Sequence, residues 1–179
     1  MIDRVHGYYD RAKERMSKRK RETFLMEKIS GILRYGYRHS KLIRSRFDAM
    51  GLRPQEIKNL KDLEKFPITK KADLVTAQKE SPPFGGFEVI SKKGLRRIYM
   101  SPGPVFEPGE WEDQDIRWAQ ALYACGMRKG DIVLNTFTYH LTPFAFMLDE
   151  SLRKLGATVI PVGPGNLSMQ INLMRQLHV

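Results

Sequence analysis

Residues 130–162 read GDIVLNTFTYHLTPFAFMLDESLRKLGATVIPV, and this stretch decides the fold. A short apolar run follows Gly130, a helical segment is predicted over 143–155, and Gly156 ends that segment before a second apolar run, ATVIPV. A further helix is predicted over 168–177. Strands that alternate with helices at these lengths are typical of parallel strands joined by crossover helices. This part of the chain therefore predicts an α/β fold.

The chain before residue 81 has a helical pattern throughout. A helix is predicted over 17–35, between a capping Ser17 and an interruption at Gly36, and the following helix is predicted to end at Gly51. Short helices separated by prolines come next. Pro and Gly then cluster without periodicity over 81–94, which indicates a boundary.

Between this boundary and the quoted stretch, a β-type run over 95–100 and a helix over 113–124 are predicted. We therefore expect a basic helical N-terminal subdomain over 1–80 and an incomplete α/β/α sandwich with parallel strands over 81–179. The sheet is expected to be incomplete because the chain ends where its next strand would begin. Its uncovered edge and apolar surface favour a homo-oligomer.

The net charge of +11 is concentrated in the helical half. Residues 1–80 contain 21 Lys and Arg against 11 Asp and Glu, whereas the remaining residues contain 10 against 9. The run from Lys18 to Arg21 has two interpretations, a solvated helix face or a footprint for nucleic-acid phosphates. Without aromatic stacking positions or a nucleic-acid-binding motif beside it, we favour the solvated face and expect no nucleic-acid partner.

Other classes of protein are disfavoured by what the sequence lacks. No apolar run approaches the roughly 20 residues that span a bilayer, and the N-terminus has no signal-peptide pattern, so we expect a cytoplasmic protein without a membrane partner. The single cysteine, Cys125, is predicted to be a buried thiol, and no zinc-site spacing exists. Acidic residues over 110–115 are interpreted as charges at a helix N-terminus, so no metal site is predicted.

Four segments, in this order along the chain, resemble the phenylacetate-CoA ligase family of adenylate-forming enzymes. They are IRSRFDAMGLRPQEIKNLKDLEKFPITKKADL (43–74), PPFGGFEV (82–89), CGMRKGDIVLNTFTYHLTPF (125–144) and LRKLGATVIPVGPGN (152–166). The resemblance runs from about residue 22 to the C-terminus and corresponds to the opening third of such enzymes. It implies the N-terminal-domain fold of that superfamily. It also implies an enzyme that activates an aromatic or acyl carboxylate with ATP and Mg²⁺ to an acyl adenylate and transfers the acyl group to coenzyme A.

MSPGPVFEPGE, residues 100–110, stands where this family has a nucleotide loop that usually reads Ser-Ser-Gly-Thr-Thr-Gly-Lys-Pro. Ser101, Gly103 and Pro108 agree with that pattern. The departures replace hydroxyls, a glycine and the lysine: Pro102, Pro104, Val105, Phe106 and Glu107. A phosphate loop needs free backbone N–H groups, hydroxyls and positive charge. We therefore expect a retained turn whose side chains no longer suit a phosphate, and we doubt that ATP binds.

The segment NTFTYHLTPFAF corresponds to the acyl-pocket region of the family. Phe137, Tyr139 and Leu141 are apolar or aromatic there, and Phe144 with Ala145 stands where the family has two glycines. The resemblance implies a wall for a flat apolar carboxylate, whereas the alternative is that these side chains are core. His140 is interpreted as a loop residue rather than a general base.

Three functions follow from these observations. The first is the N-terminal part of a phenylacetate-CoA-ligase-like protein, which alone is expected to be inactive. The second is a noncatalytic homologue that serves as a binding or scaffolding module. The third is a basic nucleic-acid binder.

Overall fold

The computed structural model describes residues 2–89, 94–109 and 118–179. The chain divides into two compact units, Met16–Glu110 and the combination of Met1–Arg15 with Trp111–Val179. We call them the middle unit and the outer unit. The α-helices are α1 (Arg11–Glu14), α2 (Lys18–His39), α3 (Lys41–Ala49), α4 (Lys71–Glu80), α5 (Trp118–Ala124), α6 (Phe144–Leu155) and α7 (Leu167–Leu177). The strands are β1 (Arg97–Ser101), β2 (Val105–Gly109), β3 (Ile132–Leu134) and β4 (Thr158–Ile160). The predicted division between residues 80 and 81 stays a prediction.

In the middle unit, α2 begins as predicted but is longer than expected. Ser17 accepts a hydrogen bond from the Lys20 backbone N–H, as an N-cap residue does. The prediction that Gly36 interrupts this helix is wrong, because α2 continues to His39. A Cβ built on Gly36 would lie 3.3 Å from Cγ2 of Ile43. Glycine at this position therefore allows α3 to approach α2 closely, and it does not end the helix.

The core of the middle unit includes Phe47 of α3, which is fully buried. Its ring makes edge-to-face contacts with Tyr37 at 5.5 Å and with Phe66 at 4.8 Å between centroids. Buried Ser40 caps α3 and donates a hydrogen bond of 2.8 Å to the carbonyl of Gly86. Two 3₁₀ turns, Pro54–Glu56 and Leu60–Lys65, follow α3. The described residues before 81 are helical or irregular, as predicted, and the middle unit also contains the antiparallel pair β1–β2.

The outer unit contains the strand–helix–strand arrangement that residues 130–162 predict. Strands β3 and β4 are parallel, with Val133 opposite Val159, and α6 connects them. Gly156 ends α6 with a φ of +93°, a left-handed conformation that glycine adopts without strain. The buried residues of α6 are Ala145, Ser151, Leu152 and Leu155. The predicted parallel pair is therefore confirmed.

The N-terminal residues belong to the outer unit, where buried Arg128 holds them. The Arg128 guanidinium donates hydrogen bonds to the carbonyls of Asp3 (2.8 Å) and His6 (3.2 Å). Arg4 forms a two-pronged pair with the Asp131 carboxylate, both bonds 2.7 Å long. These bonds fasten residues 3–6 to the segment that leads into β3.

Two further expectations have a structural outcome. Cys125 is exposed, so the prediction of a buried thiol is wrong; it follows the end of α5, where the helix gives way to a turn at Gly126. The predicted helix over 113–124 is observed as Trp118–Ala124, and its first part lies outside the described residues, as do the acidic positions over 110–115. Among the described residues, no helix has both the length and the apolar character to span a bilayer.

Candidate functional site

The segment at the nucleotide-loop position folds as a β-hairpin. Strands β1 and β2 pair antiparallel, with Ser101 opposite Val105, so that only three residues form the turn. Gly103 in this turn has a φ of +137°. A Cβ built on it would lie 2.9 Å from Cε of Lys71, so the Lys71 side chain lies over the turn. A turn is therefore present, inside a hairpin whose backbone groups pair with one another, and its correspondence to the family's nucleotide loop stays a prediction.

A glutamine from α4 occupies the outer edge of this hairpin. The Phe106 backbone N–H donates to Oε1 of Gln78, and Nε2 of Gln78 donates back to the Phe106 carbonyl, both at 2.8 Å. This amide takes the place of a neighbouring strand. The Phe106 N–H is consequently engaged by a side chain of the same unit.

The residues of the hairpin do not fit a polyphosphate. Pro102 and Pro104 have no N–H, the Phe106 N–H is bonded to Gln78, and Val105 is buried. Glu107 adds negative charge to β2, which disfavours a phosphate. Within residues 100–109 the one side-chain hydroxyl is that of Ser101, whose buried Oγ has no hydrogen-bond partner among the described residues. Whether ATP binds stays a prediction.

A second candidate site lies at the carboxyl ends of β3 and β4. In parallel α/β sheets, ligands bind in the crevice outside these ends. Here the segment after β3 leads into α6, and the segment after β4 contains the glycines of VGPGN. The two segments are joined by a hydrogen bond of 3.1 Å from the Gly163 N–H to the Asn135 carbonyl. The predicted acyl-pocket residues all follow β3 in this place.

The structure brings two of these four residues together. The rings of Phe137 and Phe144 meet edge to face, with centroids 4.6 Å apart and planes at 86°. Trp118 of α5 also contacts Phe144, with centroids 5.4 Å apart and planes at 78°. Phe137 is 49% exposed and Trp118 is 39% exposed, so this aromatic cluster presents apolar surface to an incoming molecule. The cluster consists of Trp118, Phe137 and Phe144.

The other two predicted residues have different surroundings. The Tyr139 hydroxyl donates to Oδ2 of Asp149 at 3.0 Å, and the ring packs edge to face on Phe146 at 5.1 Å. Burial, followed by the hydrogen bond to Asp149, raises the pKa of Tyr139 to about 12. Leu141 is exposed, with a φ of +60°. His140 is also exposed, in the same loop.

Sequence reasoning missed Trp118 and Asn135. Trp118 lies 19 residues before Phe137, on α5, whereas Phe137 lies in the loop after β3, so no local pattern connects the two. Asn135 is the residue directly after β3, a position that could have drawn attention to a polar side chain in an apolar run. Among the described residues, no group of three His, Cys, Asp or Glu side chains could hold a metal ion. The predicted absence of a metal site stays a prediction.

Similarity to known proteins agrees with these features. A phenylacetate-coenzyme A ligase of Aromatoleum evansii is 32% identical over 169 residues, which is 90% of this chain. The chain belongs to the phenylacetate-CoA ligase family. Another phenylacetate-coenzyme A ligase, from Pseudomonas putida, is 31% identical over 160 residues. This member of the phenylacetate-CoA ligase family spans 37% and 35% of the lengths of these two relatives. No family model matches the chain.

Solved structures show that the fold is that of a CoA ligase. A 2-hydroxyisobutyryl-CoA ligase in complex with 2-HIB-AMP superposes with a TM-score of 0.82 at 23% identity, over 99% of this chain and 40% of that protein. The same enzyme with 2-HIB-AMP and CoA gives a TM-score of 0.80 at 22% identity. The predicted fold class of this phenylacetate-CoA ligase family member is thereby confirmed, and its origin is that of an acyl-CoA ligase.

Proposed function

We propose that this chain provides the acyl-binding part of a phenylacetate-CoA-ligase-like protein and that its ligand is a flat, apolar carboxylate such as phenylacetate. One observation carries the proposal: the half-exposed Phe137 ring stands edge to face against Phe144, at the carboxyl ends of parallel strands. An aromatic ligand can extend this arrangement, because rings attract one another in edge-to-face and offset geometries. The phenylacetate-coenzyme A ligases among the relatives support an aromatic acid as the ligand class.

The activity implied by the family has two steps: reaction of a carboxylate with ATP and Mg²⁺ to give an acyl adenylate and pyrophosphate, and transfer of the acyl group to coenzyme A with release of AMP. We infer that this chain alone does not perform the first step. The engaged Phe106 N–H and the carboxylate of Glu107 support this inference. On this proposal, the function of this chain is to bind the carboxylate. ATP, Mg²⁺ and coenzyme A are required for the complete reaction of the family.

The second candidate is a noncatalytic homologue that binds an acid without activating it. The Gln78 hydrogen bonds to Phe106 favour it, because they use backbone groups that a nucleotide loop would leave available. The two candidates differ in one assay, the formation of a hydroxamate from phenylacetate, ATP and hydroxylamine. The assay uses the complete protein that contains this chain, because both candidates expect no product from this chain alone. Product formation supports the ligase, and binding of phenylacetate without product supports the module.

Binding itself is tested by isothermal titration of phenylacetate into the protein and into Phe137→Ala. Loss of the ring contact weakens binding by roughly three- to tenfold, the value of one aromatic pair. The matched control is Phe106→Ala, which removes a ring of similar exposure, 44% against 49%, from the other unit. Equal weakening by both substitutions, or no binding by the unaltered protein, contradicts the proposal.

A further inference from the structure

Asn135 directly follows β3, and both its backbone N–H and its backbone carbonyl are hydrogen-bonded to β4 or to the segment after it. Its N–H donates to the carbonyl of Ile160 in β4 at 3.0 Å, and its carbonyl accepts from Gly163 at 3.1 Å. The residue is buried, with 4% exposure. These bonds fix the direction in which its side chain leaves the sheet, toward the loop that leads into α6.

The side-chain amide makes three hydrogen bonds to that loop and to α6. Its Oδ1 accepts from the Phe137 N–H at 3.2 Å. Its Nδ2 donates to the carbonyl of fully buried Ala145 at 3.0 Å and to the Tyr139 hydroxyl at 2.8 Å. An acceptor and two donors are used at once. Among side chains of this size, only asparagine offers that combination, since aspartate has no donor when ionised.

The Tyr139 hydroxyl extends these bonds to the middle of α6. It accepts from Asn135 and donates to Asp149, so the loop is attached to the helix at two points, Ala145 and Asp149. At neutral pH the tyrosine is protonated, as this bond requires, and burial raises its pKa further, to about 12. Hydrogen-bonded groups arranged in series in this way strengthen one another.

We propose that Asn135 is the positioning residue of the aromatic cluster, because its amide fixes the course of residues 136–144 and thereby holds the Phe137 ring against Phe144. Asn135 acts through the Phe137 backbone and the first turn of α6 and does not itself touch the ligand. The effect of Asn135 on ligand binding rests on the proposed function, in which the aromatic cluster binds an aromatic carboxylate. The effect on the loop does not depend on any ligand.

The first test is hydrogen exchange, followed by mass spectrometry, in Asn135→Asp. This substitution keeps the size of the side chain and the acceptor for the Phe137 N–H, but it removes both donors. We expect exchange in residues 136–143 to accelerate roughly tenfold, the effect of losing one buried hydrogen bond, while peptides over 151–160 stay unchanged. A purely structural role would accelerate exchange throughout the outer unit alike, and that result overturns the proposal, as does unchanged exchange in the loop.

Two further variants provide a matched control and an independent test of the same hydrogen bonds. Asn172→Asp makes the same chemical change at an exposed position of α7 and should leave exchange in the loop unaltered. Tyr139→Phe removes only the hydroxyl, so it tests the same bonds even if Asn135→Asp does not fold. We expect it to accelerate exchange of residues 136–143 by roughly threefold, since one of the two attachments to α6 remains. No acceleration in Tyr139→Phe counts against the arrangement.

The second test is phenylacetate binding, reported by Trp118 fluorescence in a Trp111→Phe background. Asn135→Asp should weaken binding by roughly tenfold while Asn172→Asp does not change it. If the unaltered protein does not bind phenylacetate, the proposed function is wrong, whereas the exchange pattern still decides the role of Asn135. If phenylacetate binds Asn135→Asp and the unaltered protein equally well, Asn135 does not position the cluster.

Discussion

Replacing Arg128 by lysine should destabilise the outer unit strongly, although the charge is kept. Arg128 is 7% exposed, and Cζ of its guanidinium lies 3.8 Å from the centroid of the Tyr123 ring. It donates to the carbonyls of Asp3 and His6 on one side and to those of Tyr123 and Met127, at 2.7 and 2.8 Å, on the other. The planar fork reaches both sets of carbonyls at once.

The magnitude follows from the hydrogen bonds that an ammonium group cannot make. Lysine has a single nitrogen with three donors, so it reaches one set of carbonyls and leaves the other. Losing two hydrogen bonds to a buried cation, at about 1.5 kcal/mol or more each, lowers the free energy of unfolding by about 3 kcal/mol. For a unit of this size, that loss lowers Tm by roughly 12 to 24 °C.

Urea unfolding, monitored by Trp118 fluorescence in a Trp111→Phe background, measures this loss. Trp118 reports on the outer unit because it lies within it. Arg175→Lys, at an exposed position of α7, is the matched control and should change the free energy of unfolding by less than about 0.5 kcal/mol. If Arg128→Lys costs less than about 1 kcal/mol, or no more than the control, the reasoning about the forked hydrogen bonds is refuted.

Three other predictions concern charge. Glu107→Lys should not create Mg²⁺-ATP binding in isothermal titration, because Gln78 still occupies the hairpin edge; a micromolar Kd in this variant or in the unaltered protein would contradict that. Hydrogen bonds from Arg4 lower the pKa of Asp131 below its ordinary 3.8, so the ionised carboxylate stabilises folding above that value and the benefit disappears as pH falls through the lowered pKa. Asp131→Asn should therefore lower Tm at pH 7 and lower it progressively less as the pH falls below 3.8, and an equal loss of Tm at all these pH values would refute the link. Changing residues 18–21 to Gln should leave DNA binding weak in fluorescence anisotropy at near-physiological salt, whereas submicromolar binding that the changes abolish would favour a nucleic-acid binder.

Local signals in the sequence predicted much of the fold. Ser17 and Gly156 mark helix ends through interactions within a few residues, and the apolar runs around Val133 and Val159 predict strands without knowledge of the rest of the chain. Gly36 was misinterpreted because the same residue type that ends helices also permits close packing between them. Only the position of Ile43 in space distinguishes the two roles.

Sequence reasoning named only some residues of the candidate site, because several of its contacts join elements that are far apart in sequence. The family resemblance indicated Phe137 and Phe144, which the structure brings together. It also indicated Tyr139, but the hydroxyl of Tyr139 donates a hydrogen bond to Asp149. The hydrogen bonds of Gln78 to Phe106 join residues 28 apart on a helix and a strand. Contacts of this kind depend on how elements pack, and no spacing along the chain encodes them.

The connection of Arg128 to the N-terminal residues has a consequence for the order of folding. The middle unit is contiguous in sequence, so it can fold as soon as its own residues have been synthesised. Residues 3–6 are synthesised earlier, yet their partner Arg128 follows 125 residues after Asp3. They must remain without it while the whole middle unit forms, and their docking then closes a long loop, which costs entropy that grows only slowly with its length. Residues 3–6 are therefore synthesised before the middle unit but can reach their native position only after it has been synthesised.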